Sequence, residues 1–484
     1  PYQNWNTRCA ECHSTDVRKN YDQATRAFAT TFEQLDVGCE ACHGAGERHL
    51  ELAAADKLGD AEHGGFPTAL AQRGEWAFPG EAAIAARREP LASRAQLDSC
   101  GRCHSRRGTL GDYHYGADLL DTHRLSLPQS PLYYHDGQIR DEVYVYGSFL
   151  QSKMHLAGVV CSNCHEPHSL ALHAPGNGVC AQCHLPARYD TTAHHHHQPA
   201  SAGASCADCH MPETTYMGVD PRRDHSMRVP RPDLSIVTGS PNACNQCHQD
   251  REAQWALDAL RDWGVQYRDT SSHNARAFQR LEMGDRGAVP VLAELAVDPT
   301  APPVWRATAI EAVTQGGGRE ALQVVTTVLY DDDPILRSST VRSLDFLPLN
   351  QRYQLLQPLI EDEVTTVRMD VAMALAGVPL DQLSPEQAAQ LDKLFSEYLR
   401  IQQEHADMPE SQLQSGVFFS QRGDMPAAEA AYREAIRLNP LLVPAYLNLA
   451  DVLRAQDKDD EARKVLLPVL DFAPDSGDTL HSLG

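Results

Sequence analysis

Seven copies of the pattern C-x-x-C-H stand within the first 248 residues of this 484-residue chain, and they use all 14 of its cysteines. The pairs are Cys9/Cys12, Cys39/Cys42, Cys100/Cys103, Cys161/Cys164, Cys180/Cys183, Cys206/Cys209 and Cys244/Cys247, followed by His13, His43, His104, His165, His184, His210 and His248. Nothing remains for a disulfide. C-x-x-C-H is the attachment pattern of c-type haem: two thioethers fix the porphyrin edge, and the next imidazole meets the iron from one face. Zinc ribbons also use C-x-x-C pairs but do not require the following histidine. With 23 histidines in 484 residues, seven such coincidences have a chance on the order of one in a billion. A thioredoxin-like motif would occur once, beside a βαβ pattern that this sequence lacks. The cysteines predict seven covalently attached haems.

Haem of this kind is attached outside the cytoplasm, which predicts a periplasmic or extracellular protein, although no signal pattern stands at Pro1. Residues 1–250 hold too many haems for a protein-only core, so the expectation is short helices and loops wrapped around cofactor. Pro128, Pro131, Gly137, Pro175, Gly176, Gly178, Pro230 and Pro232 punctuate the region accordingly. A net charge of −23 has the wrong sign for a general nucleic-acid binder. No apolar run approaches the length of a membrane helix.

The sixth ligand of each iron separates conduction from catalysis. Thirteen further histidines precede residue 250: His49, His63, His114, His123, His135, His155, His168, His173, His194 to His197, and His225. Only Met154, Met211, Met217 and Met227 compete, so bis-histidine ligation is the economical expectation. His168 follows the fourth motif as Cys164-His165-Glu166-Pro167-His168, a spacing that reaches a neighbouring haem. His155 lies six residues before Cys161, and His49 six after His43, at the start of a helix-like stretch. One member of the run His194 to His197 is expected to be a ligand. Arg222, Arg223, Arg228 and Arg231 surround His225 and suit haem propionates or, less simply, an anionic substrate.

After residue 250 the cysteines stop, and helical periodicity takes over. Trp255, Leu257, Leu260 and Trp263 mark an amphipathic helix. Arg306, Arg337 and Arg368 recur at intervals of 31, each preceded by an acid (Asp298, Asp332, Asp362) and followed by an apolar helical pattern. That predicts three HEAT-like helical pairs over 251–383. Ser384-Pro-Glu-Gln387 is an N-cap with Pro at the first helical position and a capping-box partner, opening a helix to about His405. Pro440 and Pro474 are 34 apart, the length of a tetratricopeptide repeat. Gly416, Phe419, Ala428, Tyr432 and Ala435 fit one copy, and Tyr446, Leu449, Ala450 and Ala462 the next. A third copy, opened by Leu480 and Leu483, is cut short at Gly484. The fold class is mainly α: a haem-packed region over 1–250, then an α-solenoid with tetratricopeptide repeats in 384–484.

Four stretches carry a resemblance: Tyr2-Gln-Asn-Trp-Asn-Thr-Arg-Cys9, Val37-Gly-Cys39-Glu-Ala-Cys42-His43-Gly, Asp141-Glu-Val-Tyr-Val-Tyr-Gly147 and Arg223-Asp-His225-Ser-Met-Arg-Val-Pro-Arg-Pro232. In these the chain resembles an exported bacterial family of multihaem cytochromes c. The haem region of that family is related to the tetrahaem cytochrome of ammonia oxidisers and is fused to tetratricopeptide repeats. The resemblance implies His49, His135, His155, His168, one of His194 to His197 (His197 the candidate) and His225 as distal ligands. It also implies one more C-x-x-C-H upstream, so an eighth haem is expected on a segment before Pro1. Six distal candidates for seven irons leave one iron to His63, His114, His123, another chain or a small molecule.

The functional expectation is electron transfer through mostly bis-histidine haems, with the repeats binding redox partner proteins or further copies of the chain. Two alternatives follow from the same residues. One is a reductase or oxidase of a small nitrogen or sulfur compound at one open haem. The other is a subunit of a polymeric extracellular conduit whose chains share haem ligands. No motif of a catalytic nucleophile or phosphate loop interrupts the repeats.

Overall fold

A computed structural model describes residues 4–267 and 273–484; Tyr2 and Gln3 of the first resembling stretch lie outside the described residues. The fold is mainly α. Up to residue 250 the helices are short, the longest described being Ala95–His104. Between them lie five two-stranded antiparallel ribbons, such as Arg107–Thr109 with His123–Leu125 and Glu213–Tyr216 with Asp220–Arg223. Pro and Gly recur between these short elements.

Helices then pair. Val289–Val297 with Pro303–Thr314, Arg319–Val328 with Pro334–Arg342, and Leu349–Leu356 with Thr365–Leu375 form the three predicted repeats. The periodic arginines lie on the second helix of each pair, and their carboxylate partners are not those of the acids that precede them. Arg306 bonds to Asp331 at 3.0 Å, Arg337 to Asp362 at 2.8 Å and Arg368 to Glu397 at 2.8 Å. Each arginine therefore reaches forward to a carboxylate that follows it in the chain. Arg337 also donates to the carbonyls of Asp331 and Asp332, and Arg368 to those of Asp362 and Glu363. A cation at these loop carbonyls satisfies groups the helices leave unpaired.

The helix Pro385–Glu404 opens with the predicted capping box, Ser384 and Gln387 bonding reciprocally. Behind it Pro409–Arg422, Met425–Leu438, Val443–Arg454 and Asp459–Leu466 build the tetratricopeptide part on Ala428, Tyr432, Leu449, Leu453 and Leu466. Gly416 is required there, because a Cβ would run into the Tyr432 ring.

The two halves share one core. Leu97, Leu119, Leu127, Tyr146, Phe149 and Val160 belong to the same apolar cluster as Leu292, Ile310, Leu336, Val367 and Leu394. Polar pairs stitch the seam. Thr366 Oγ1 donates to the Leu120 carbonyl (2.5 Å), Thr365 N to Asp121 (3.0 Å), Thr7 Oγ1 to Asp407 (2.7 Å), and Arg124 pairs with Asp370 (2.5 Å). The arginine-bearing helices are covered on both sides, which accounts for the small polar residues buried in them: Ser338, Ser339, Thr340 and Thr366. Among the described residues no helix is long and apolar enough to cross a membrane.

Candidate haem sites

Every motif sits on a turn of helix: Ala10–His13, Glu40–His43, Ala95–His104, a 3₁₀ turn Cys161–Asn163, Gly178–Ala181, Cys206–His210 and Ala243–Cys247. The histidine amide closes the turn onto the first cysteine's carbonyl, at 3.0 Å for His13 and His43, 2.9 Å for His184 and 3.0 Å for His248. Positions i, i+3 and i+4 share a helix face, so both thiols and the imidazole point the same way. Gly101 inside the third motif is forced by packing: a Cβ would stand 2.9 Å from Leu119 Cδ2 and 3.0 Å from the Tyr146 ring.

Four motif imidazoles face a second imidazole. Ring centres are 6.1 Å apart for His43 and His168, 6.3 Å for His165 and His225, 6.2 Å for His210 and His194, and 6.3 Å for His248 and His197. The ring planes meet at 5°, 20°, 15° and 37° respectively. Two imidazoles bound to one metal from opposite sides, at about 2.0–2.1 Å per bond, have centres about 6.2 Å apart. The four separations fit one iron between each pair.

The tautomers fit as well. A carbonyl or carboxylate oxygen only accepts, so an Nδ1 beside one carries the proton and leaves Nε2 for a metal. His210 donates to the Arg228 carbonyl, His225 to Arg223 and His49 to Gly64, each at 2.9 Å, and His197 to His195 at 2.5 Å. His168 Nδ1 lies 3.0 Å from Glu166 Oε1. Burial, and after it the charge of the facing ring, lowers the affinity of His43 and His165 for a second proton, and the same holds for His194. These rings are neutral at pH 7, as ligands must be.

Other candidates are engaged differently. His123, fully buried, holds Glu11 through Nε2 at 2.8 Å and Thr122 through Nδ1 at 2.9 Å. Burial pushes the Glu11 carboxyl up, but Arg107 and the bond and charge of His123 outweigh it and hold it far below the usual range. This ties the first motif to the ribbon Arg107–Thr109. His135 Nε2 is bonded to Glu282, His173 Nε2 to the Ser162 carbonyl at 2.9 Å, and His63 lies 3.5 Å from Glu62. His114 closes a turn through its carbonyl. His155 packs edge-on against Phe149, with its Nδ1 buried and without a hydrogen-bond partner. Among the described ring contacts no second imidazole faces His13, His104 or His184.

Two expectations change. The run His194 to His197 supplies two facing rings, not one. Thr192–His195 is a helical turn, and His196 then turns left-handed (φ 57°) and stacks on Trp263 at 4.2 Å, which sends His197 toward His248. Gly203 makes room for it, since a Cβ there would run into the His197 ring. The arginines around His225 are already paired with protein carboxylates: Arg222 with Asp220 and Glu142, Arg223 with Asp208, Arg228 with Asp136 and Asp224, Arg231 with Asp233.

Sequence reasoning put Trp255 on a helix but not beside a motif; its ring lies 4.7 Å from that of His248. The helix Ala253–Asp262 buries Ala256, Leu257 and Leu260 and turns its tryptophan to the haem side. Motifs adjoin in a definite order. The thiols of Cys12 and Cys103, Cys100 and Cys161, and Cys180 and Cys206 lie against one another. Cys42 also lies near Cys100 and Cys103, Cys164 near Cys183, and Cys209 near Cys244.

Residues 2–44 match the family cytochrome c554 and c-prime, and residues 188–276 match cytochrome c552. These two stretches are similar to cytochromes c. Residues 289–376 match HEAT repeats and residues 420–483 the tetratricopeptide repeat, so both predicted solenoid types are present. No curated protein matches the chain. Among solved structures, the crystal structure of outer cell wall cytochrome OcwA aligns at 17% identity over 69% of this chain and 76% of that one, with a TM-score of 0.35. A likeness that loose carries no argument. Cytochrome c sequence implies covalent c-type haem, and the paired imidazoles fit it.

Proposed function

We propose that this cytochrome carries electrons along seven covalent haems outside the cytoplasm, mostly between pairs of histidines. Haem, when bound, supplies one-electron chemistry at iron. The observation that carries the reading is the set of four imidazole pairs at 6.1–6.3 Å. A second imidazole closes an iron to substrate and suits low-potential transfer. His168, His225, His194 and His197 are thus the distal ligands opposite His43, His165, His210 and His248. His49, His135 and His155 remain for the irons of His13, His104 and His184. His49 keeps Nε2 free and His155 has an unbonded Nδ1, whereas His135 must first leave Glu282. The adjoining cysteines would hold their haems in the order first, third, fourth, fifth, sixth and seventh motif, with the second beside the third.

Thioether attachment of haem places the working protein in the periplasm or beyond the cell. The HEAT and tetratricopeptide helices offer a rigid surface for redox partner proteins or for another copy of the chain. A second reading, reduction or oxidation of a small nitrogen or sulfur compound at one iron, is favoured by the absence, among the described ring contacts, of a second imidazole opposite His13, His104 or His184. Pyridine haemochrome and low-temperature EPR test both readings. Seven haems per chain, all low-spin and unmoved by nitrite, hydroxylamine or sulfite, are expected. A high-spin signal that shifts with one of these compounds makes the chain an enzyme.

A further inference from the structure

Among the distal histidines assigned above, His168 differs in what holds its other ring nitrogen. His225 and His197 donate Nδ1–H to backbone carbonyls, which are neutral acceptors. His168 donates to Glu166 Oε1, at 3.0 Å. The carboxylate is held for this task. Its Oε2 accepts from Ser169 N at 2.6 Å, and its Oε1 lies 3.4 Å from His168 N, so the loop Glu166–Ser169 wraps around it. The side chain is 37% exposed and is ionised at neutral pH. Glu166 also follows His165 directly in the chain, so one tripeptide step links the proximal ligand of the fourth motif to the distal ligand of the second.

A carboxylate accepting the outer N–H of a metal-bound imidazole raises that ligand's basicity and fixes its orientation. A more basic ligand favours the ferric over the ferrous iron, so the reduction potential falls. We propose that Glu166 is a positioning residue that makes the haem of the second motif, between His43 and His168, the lowest in potential of the four paired sites. One electron changes one iron between ferric and ferrous, and the Nδ1 proton stays in the bond between His168 and Glu166, so no proton is released or taken up. A lower potential makes that haem a stronger electron donor, and the motif beside it is the third, whose Cys100 and Cys103 lie near Cys42. The inference rests on His168 being a ligand, as proposed above.

The test is a potentiometric titration of the full haem-loaded chain, followed in the haem α-band, for wild type and Glu166→Gln. The amide keeps one oxygen for His168 Nδ1, loses the second acceptor that Ser169 N uses, and removes the charge. One low-potential one-electron component should move up while the others stay in place, with haem count and low-spin EPR unchanged. Superimposable titration curves, or a uniform shift of all components, overturn the inference. His168→Ala separates the two layers. Loss of one low-spin signal in that variant upholds the ligation, so that an unmoved Glu166→Gln titration then rejects the carboxylate's role alone. An unaltered EPR spectrum in His168→Ala rejects the ligation and the inference with it.

Discussion

His194 and His197 stand three residues apart and face different motif histidines, His210 at 6.2 Å and His248 at 6.3 Å. One short loop thereby faces two neighbouring motifs. His194→Ala and His197→Ala should each convert one low-spin EPR signal to high-spin, and the double variant two. His195→Ala and His196→Ala should leave the count of low-spin haems unchanged.

Gly203 supplies an independent check that leaves every histidine in place. Its Cβ would collide with the His197 ring, so Gly203→Ala should reproduce the spectrum of His197→Ala, with full haem content by pyridine haemochrome. A wild-type spectrum would show that the ring has room to move aside.

The sequence made the seven motifs plain because covalent attachment needs fixed residues at fixed spacing. The arginine period was equally visible, since a repeat must present the same bond each time. Its partners were not: the acids that precede the arginines draw the eye, whereas Arg337 crosses 25 residues to Asp362. Distal ligands are set by tertiary approach, and a run of four histidines cannot say how its backbone turns. The left-handed residue His196 (φ 57°) decides that, and it is not a glycine that would have flagged itself. Nor could periodicity tell that Ser338 and Thr366 face a second layer rather than water.

Arg337 and Asp362 have side chains 9% and 5% exposed. Removing one partner of a buried pair strands the other charge, so Arg337→Ala should cost about 3–5 kcal/mol, seen as a large drop in the unfolding midpoint by circular dichroism. Arg400, paired with Glu404 on an exposed face, is the control. Arg400→Ala should cost no more than about 1 kcal/mol.

His405 gives the fold an acid-side weakness. Burial first, then the charge of Lys19, lowers its pKa from 6.5 to about 4. The unfolded chain therefore binds a proton between these values that the folded chain refuses, and stability falls as pH drops through that window. The contribution is complete above pH 6.5 and exhausted below about 4. His405→Gln should flatten this part of the stability–pH curve in denaturant titrations.

Because Leu119, Leu127, Tyr146 and Phe149 share a core with the repeats, the fragment 1–250 should not survive alone. Expressed without the solenoid it should aggregate or bind a hydrophobic dye, as size-exclusion chromatography and dye fluorescence will report. A monodisperse fragment would mean that haem alone can close that face.

Repeat solenoids usually flex like springs, each unit rocking on the next. Here Arg306, Arg337 and Arg368 each anchor one unit to an acid of the following one. To bend the stack, these ionic bonds, the central one shielded from water, must open in tension. The three cross-ties turn a spring into a strut, and because its near face shares a core with the cysteine-rich part, a load at the far end would be carried to the motifs as displacement of a rigid body.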